Sequence, residues 1–128
     1  MITEKEISEF KPKQTHHGLI VYTSQFRYSG PRRLDITAMN GSDLFRPDYE
    51  TVMAFKNGGM TESQYEKYYL KRMRESYKQF RSGWERLLSC DWTVLVCYCR
   101  RDTFCHRLLL AEYLEKCGAS YEGEVPNV

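Results

Sequence analysis

At 128 residues the chain has the length of one ordinary domain, enough to bury a core without metal or disulfide staples. A hydrophobic fraction of 41% excludes a disordered chain, and 19 basic against 17 acidic residues exclude the broad positive surface that duplex DNA requires. Five cysteines, an odd number, exclude a complete disulfide framework; with no signal-peptide core in residues 1–18 and no apolar run of membrane-spanning length, the expected setting is a reducing cytoplasm, away from membranes.

Residues 1–18 are polar and charged and read as an N-terminal arm; residues 19–128 read as a single α/β domain. Leu19 to Thr23 is a continuous apolar run and predicts a buried strand. Phe26 to Arg33 follows as a long loop with a Gly30-Pro31 break and several arginines. Leu34 to Ala38 alternates apolar and polar and predicts a short strand, closed by the turn Asn40-Gly41-Ser42. Residues 48–57 have helical spacing and begin after Pro47. Thr61-Glu62-Ser63-Gln64 has the form of a capping box, so a long helix should run to about residue 81, with Tyr65, Tyr69, Met73, Tyr77 and Phe80 as its apolar stripe. Gly83 should break or bend it before Trp84, Leu87 and Leu88. The charged side of this helix, with Lys67, Lys71, Arg72, Arg74 and Lys78, suits either solvent or a homo-oligomer contact.

Trp92 to Tyr98 is the strongest strand, apolar on both faces as a central parallel strand must be. A polar loop leads to a helix from about Cys105 to Cys117, expected to bury Leu108, Leu110, Ala111, Leu114 and Cys117 and stopped by Gly118. Ala119 to Val125 predicts an edge strand. Strands alternating with helices imply a small three-layer, Rossmann-like α/β domain with a mainly parallel sheet and helices on both faces. Ligands of such sheets bind beyond the carboxyl ends of the strands.

The chemistry concentrates between Val96 and Arg107. Arg107 in the first turn of a helix, with Arg100 and Arg101 in the preceding loop, places cations where backbone N–H groups already favour an anion. The end of the first strand supplies Ser24 and Gln25, then Arg27, Tyr28, Arg32 and Arg33. With the two strands adjacent, Ser24, Gln25, Arg27, Tyr28, Arg32, Tyr98, Arg100, Cys105, His106 and Arg107 would line one pocket, its tyrosines stacking on a base and its arginines holding phosphate. Two other readings stay open. Cys105 at a helix start beside His106 has the composition of a nucleophile and its base, although adjacent helical residues point about 100° apart. Cys97, Cys99, Cys105 and His106 would be the ligands of a metal site, with a spacing unlike the usual zinc patterns.

Cys97-Tyr98-Cys99 followed by Cys105-His106-Arg107 and Leu108-Leu109-Leu110-Ala111 resembles the C-terminal motif of DUF488, a family of small bacterial and phage proteins. Tyr22-Thr23-Ser24 resembles that family's first strand, and the paired cysteines and long insert resemble its phage-type branch. The resemblance implies the fold and the site's position, and leaves the activity open. The expected function is capture of a nucleotide-derived anionic small molecule, without a cofactor; in a phage this would be a sponge for an ADP-ribose-type or cyclic-nucleotide immune signal in the host cytoplasm. The alternatives are an enzyme acting on a nucleotide or N-glycosidic bond through His106 or Cys105, and a Cys/His metal-binding domain.

Overall fold

In the computed structural model, residues 18–98 and 104–125 are described. Most of the expected arm, and the loop residues Cys99 to Thr103, lie outside them. Among the described residues four strands, β1 (Ile20–Gln25), β2 (Arg33–Asp35), β3 (Trp92–Cys97) and β4 (Ser120–Glu124), form one sheet in the order β2-β3-β1-β4. Every pairing is parallel, with Ile20 opposite Trp92 and Gln25 opposite Cys97 in the central pair. The apolar runs dictate this: both central strands are buried on both faces, which only a parallel sheet with covered faces supports. All four strands therefore end at the same edge.

Among the described residues four helices follow from local signals: α1 (Tyr49–Lys56), α2 (Glu62–Gln79), α3 (Arg81–Leu88) and α4 (His106–Lys116). Asp48 caps α1 by accepting from the Thr51 amide. Thr61 and Gln64 form the expected capping box on α2. The break between α2 and α3 falls at Phe80, whose φ of −121° and ψ of 43° leave the helix, and Phe80 is exposed at the end of the stripe it was expected to complete. Gly83 lies inside α3, where a Cβ would come within 2.6 Å of the Leu44 side chain. α4 is stopped as expected, with Gly118 at a φ of 105°.

The second strand is shorter than its alternation implies. After Asp35 the chain turns: Asp35 Oδ1 accepts from the Thr37 amide at 2.9 Å, and the Gly41 amide donates to the Thr37 carbonyl at 3.0 Å. A Cβ at Gly41 would sit 2.4 Å from that carbonyl oxygen, so the loop closes on itself only because residue 41 lacks a side chain.

The sheet separates two apolar clusters. Leu19, Val21, Leu95 and Cys97 face the larger one, with Tyr65, Tyr69 and Met73 of α2, Trp84 of α3 and Leu109, Leu110, Ala111 and Leu114 of α4. Val52 and Phe55 of α1 pack against it. The expected helical layer is thus present on this face. The opposite face carries Ile20, Tyr22, Val94 and Val96; its described cover is Phe26, Tyr28 and Val125, none of them helical. The result is a small Rossmann-like α/β domain. No helix among the described residues is long and apolar enough to cross a membrane.

Candidate functional site

Alternation along β3 sends Leu95 and Cys97 to the helix-covered face, so the last residue of the strand points at the start of α4. Cys105 is the N-cap of α4 in extended conformation, with no side-chain capping bond. Its Sγ lies 2.8 Å from Cys97 Sγ, and both residues are buried thiols. Cys90 and Cys117 are also thiols; Cys99 lies outside the described residues.

His106 is buried, its ring 5.6 Å from that of Tyr69. Its Nε2 is 2.7 Å from the Ile36 carbonyl oxygen. A carbonyl only accepts, so this contact assigns the proton to Nε2 and leaves the Nδ1 lone pair available. Nδ1 sits 3.7 Å from Cys105 Sγ. Neighbouring residues within a helix diverge, but Cys105 has cap rather than helical geometry and its side chain turns back beside the ring. Burial lowers the His106 pKa below its usual 6.5, against the opposing pull of Cys97 and the Ile36 carbonyl, so the ring is neutral at physiological pH. A neutral imidazole with a lone pair facing a thiol is a base beside a nucleophile.

Arg107 is fully buried. Its Nη2 donates to Glu124 Oε1 at 2.8 Å, Nε donates to the same oxygen at 3.2 Å, and Nη1 donates to Cys97 Sγ at 3.1 Å. Burial opposes its charge, but Cys97 and Glu124 more than offset this and its pKa is raised. The guanidinium is therefore permanently charged and favours a thiolate at Cys97.

The two sulfurs and the imidazole lie within 4.8 Å of one another, which brings together three of the four residues of the metal reading. The fit to a metal is poor. Tetrahedral zinc with both thiolates at about 2.3 Å would hold the sulfurs roughly 3.8 Å apart, against 2.8 Å here. Arg107 also places a positive charge on one sulfur, where a dication would be repelled.

Cys97, Cys105 and His106 form one wall of a cavity of about 550 Å³. Its other walls come from Thr37 to Asn40 after β2, from α1, and from Tyr65 and Phe104. The lining is mostly flat and apolar, with Tyr49, Phe55, Tyr65, Tyr98 and Phe104 beside Met39 and Met53. Met39, Tyr49 and Tyr98 are exposed at the surface. Lys56 is the one cationic side chain among the described lining residues. Thr37 is buried, and its Oγ1 has no hydrogen-bond partner among the described residues. A buried hydroxyl in that state is costly unless a ligand or water satisfies it.

The structure thus brings Tyr98, Cys105 and His106 of the expected site into one cavity, whose second half comes from the loop after β2. Ser24, Gln25, Arg27, Tyr28, Arg32 and Arg107 do not line it. β2 and β1 flank β3 on opposite sides, and α1 lines the cavity together with the loop that follows β2. Ser24 is buried at the end of β1, Gln25 is half-buried, and Arg27 is exposed. Tyr28 packs in the opposite apolar cluster; its hydroxyl donates to the Pro31 carbonyl at 2.7 Å and burial pushes its pKa up to about 12. Arg32 adopts a φ of 60° and lies 5.7 Å over the Trp92 ring, while Arg33 donates to the Tyr28 and Phe26 carbonyls. These two arginines close their own loop. Arg100, like Cys99, lies outside the described residues.

Thr37, Lys56 and the α1 aromatics were not singled out in the sequence, where Tyr65 read only as core. The available signal was the Asp35 turn at the carboxyl end of a strand. Glu124 was equally unmarked: it becomes Arg107's partner because β4 ends at the edge where α4 begins.

A family model described as the Active DUF488-N3 subclade matches residues 6–118. No curated protein and no solved structure matches the chain.

Proposed function

The chain belongs to the DUF488 family, and from that premise we propose that it is a thiol enzyme acting on a nucleotide-like small molecule, with Cys105 as nucleophile and His106 as its base. One observation carries the reading. His106 Nε2 is committed to the Ile36 carbonyl, which leaves Nδ1 facing the Cys105 sulfur at 3.7 Å in the wall of an aromatic cavity. In the N-glycosidic version, the thiol proton moves to Nδ1, sulfur bonds to the anomeric carbon, and the departing nitrogen takes the proton; water then releases the sugar. The aromatic walls suit a flat base, and the unsatisfied Thr37 hydroxyl suits a polar edge of it. The matched subclade is described as active, which agrees with turnover.

The test is product analysis with a panel of nucleosides, ADP-ribose-type molecules and cyclic nucleotides. Multiple turnover of one of them is expected, falling by about 10²–10⁴-fold in His106→Gln and by at least as much in Cys105→Ser. The anionic-sponge reading loses its main electrostatic support among the described residues, because Arg107 is paired internally and Arg27 and Arg32 lie away from the cavity. Stoichiometric binding with the ligand recovered unchanged would restore that reading and overturn this one.

A further inference from the structure

We infer that Cys97 and Cys105 are a reversible dithiol–disulfide couple, oxidised by a small-molecule disulfide that enters through the aromatic cavity. The inference concerns the pair rather than the chemistry of Cys105 alone, and it stands whether or not the cavity hosts turnover.

Four features of the structure converge on it. The two sulfurs are 2.8 Å apart, so closing to a bond of roughly 2.05 Å moves them by less than the width of an atom. The residues sit on different elements, the end of β3 and the cap of α4, so one local adjustment of the cap closes the bridge without breaking the sheet. Each sulfur has its own activating group: Arg107 Nη1 donates to Cys97 at 3.1 Å, and His106 Nδ1 faces Cys105 at 3.7 Å. Both cysteines line the cavity, which gives a small reagent its route to buried thiols. A structural core cysteine needs none of these; a dithiol that exchanges needs an activated attacking sulfur, a resolving sulfur in contact, and access.

The step balances as ordinary thiol–disulfide exchange. Cys105 gives its proton to His106 Nδ1 and attacks one sulfur of a disulfide R–S–S–R, forming a mixed disulfide and releasing one thiolate. Cys97, whose developing negative charge Arg107 stabilises, loses its thiol proton as it attacks Cys105 Sγ, forms the Cys97–Cys105 bond and releases the second thiolate. The released thiolates take up the two protons, so two protein thiols are oxidised by two electrons and one small disulfide is reduced to two thiols. Excess thiol reverses the sequence. In the oxidised form Cys105 is no longer a nucleophile, so the same bridge silences the chemistry proposed above.

The experiment is equilibration of the full chain with mixtures of oxidised and reduced glutathione, acid quench, alkylation of remaining thiols under denaturing conditions, and mass spectrometry. The expected result is the loss of two alkylation sites, with a cross-linked peptide whose fragmentation places the bond between Cys97 and Cys105, and full return on adding reduced glutathione. Cys99→Ser should retain the bridge, and Cys97→Ser should stop at a mixed disulfide on Cys105. Five alkylated cysteines at every ratio, or a bridge that persists in Cys97→Ser and so uses Cys99, would overturn the proposal. The readout is a mass and not an activity, so failure of the thiol-enzyme reading leaves this test intact.

Discussion

Glu124→Ala should destabilise the fold strongly without touching either sulfur. The substitution removes the carboxylate that accepts two bonds from Arg107 at 2.8 and 3.2 Å. The guanidinium is 0% exposed and the Glu124 side chain 17% exposed, so the charge left behind cannot turn to water. Breaking a buried pair in this way typically costs 3–5 kcal/mol. The surviving bond to Cys97 and the partial exposure of Glu124 place the effect at the lower end, about 3 kcal/mol. For a chain of 128 residues the unfolding entropy near the midpoint is about 0.27 kcal/mol/K, so Tm should drop by about 11 °C. Urea unfolding followed by far-ultraviolet circular dichroism gives the free energy directly, with an unchanged slope expected. Removing both charges, in Arg107→Met/Glu124→Gln, should recover at least half of the loss, because the uncompensated cation is gone. A Glu124→Ala cost below about 1 kcal/mol, the range of surface pairs, or a double variant less stable than the single one, would refute the claim that an internally neutralised guanidinium underlies the site.

The folded chain holds His106 below its usual pKa while the unfolded chain does not, so the unfolded state binds the extra proton and stability should fall as pH drops below about 6.5; Tm against pH should be flatter in that window for His106→Gln, and identical slopes would contradict the assigned burial effect. Thr37→Val replaces a buried hydroxyl that has no hydrogen-bond partner among the described residues; thermal stability should hold or rise, while affinity for the cavity's ligand in calorimetry should fall about tenfold, the loss of one hydrogen bond of roughly 1.4 kcal/mol, and unchanged affinity would place that hydroxyl outside the binding contacts.

The architecture was legible because it rests on short-range pattern. Two apolar runs separated by helical periodicity specify parallel central strands, Thr61 and Gln64 specify a helix start, and Gly118 specifies a stop; each of these is a local decision of a few neighbouring residues. Cys97, Cys105 and His106 lie at the carboxyl edge of the sheet and line the cavity. What the motif's residues do there depends on contacts between distant parts of the chain. Arg107 looked like an anion receptor while its partner Glu124, 17 residues away, was unknown, and buried charge is neutralised by whatever carboxylate the fold brings within reach. His106 acquired its tautomer from the Ile36 carbonyl, 70 residues away. The cavity lies between α1 and the loop after β2, and strand order is a property of the assembled sheet rather than of any segment. Sequence spacing fixed which chemical groups approach the strand ends; only the packing of α1, α4 and β4 decided which of them face one another and which face the cavity.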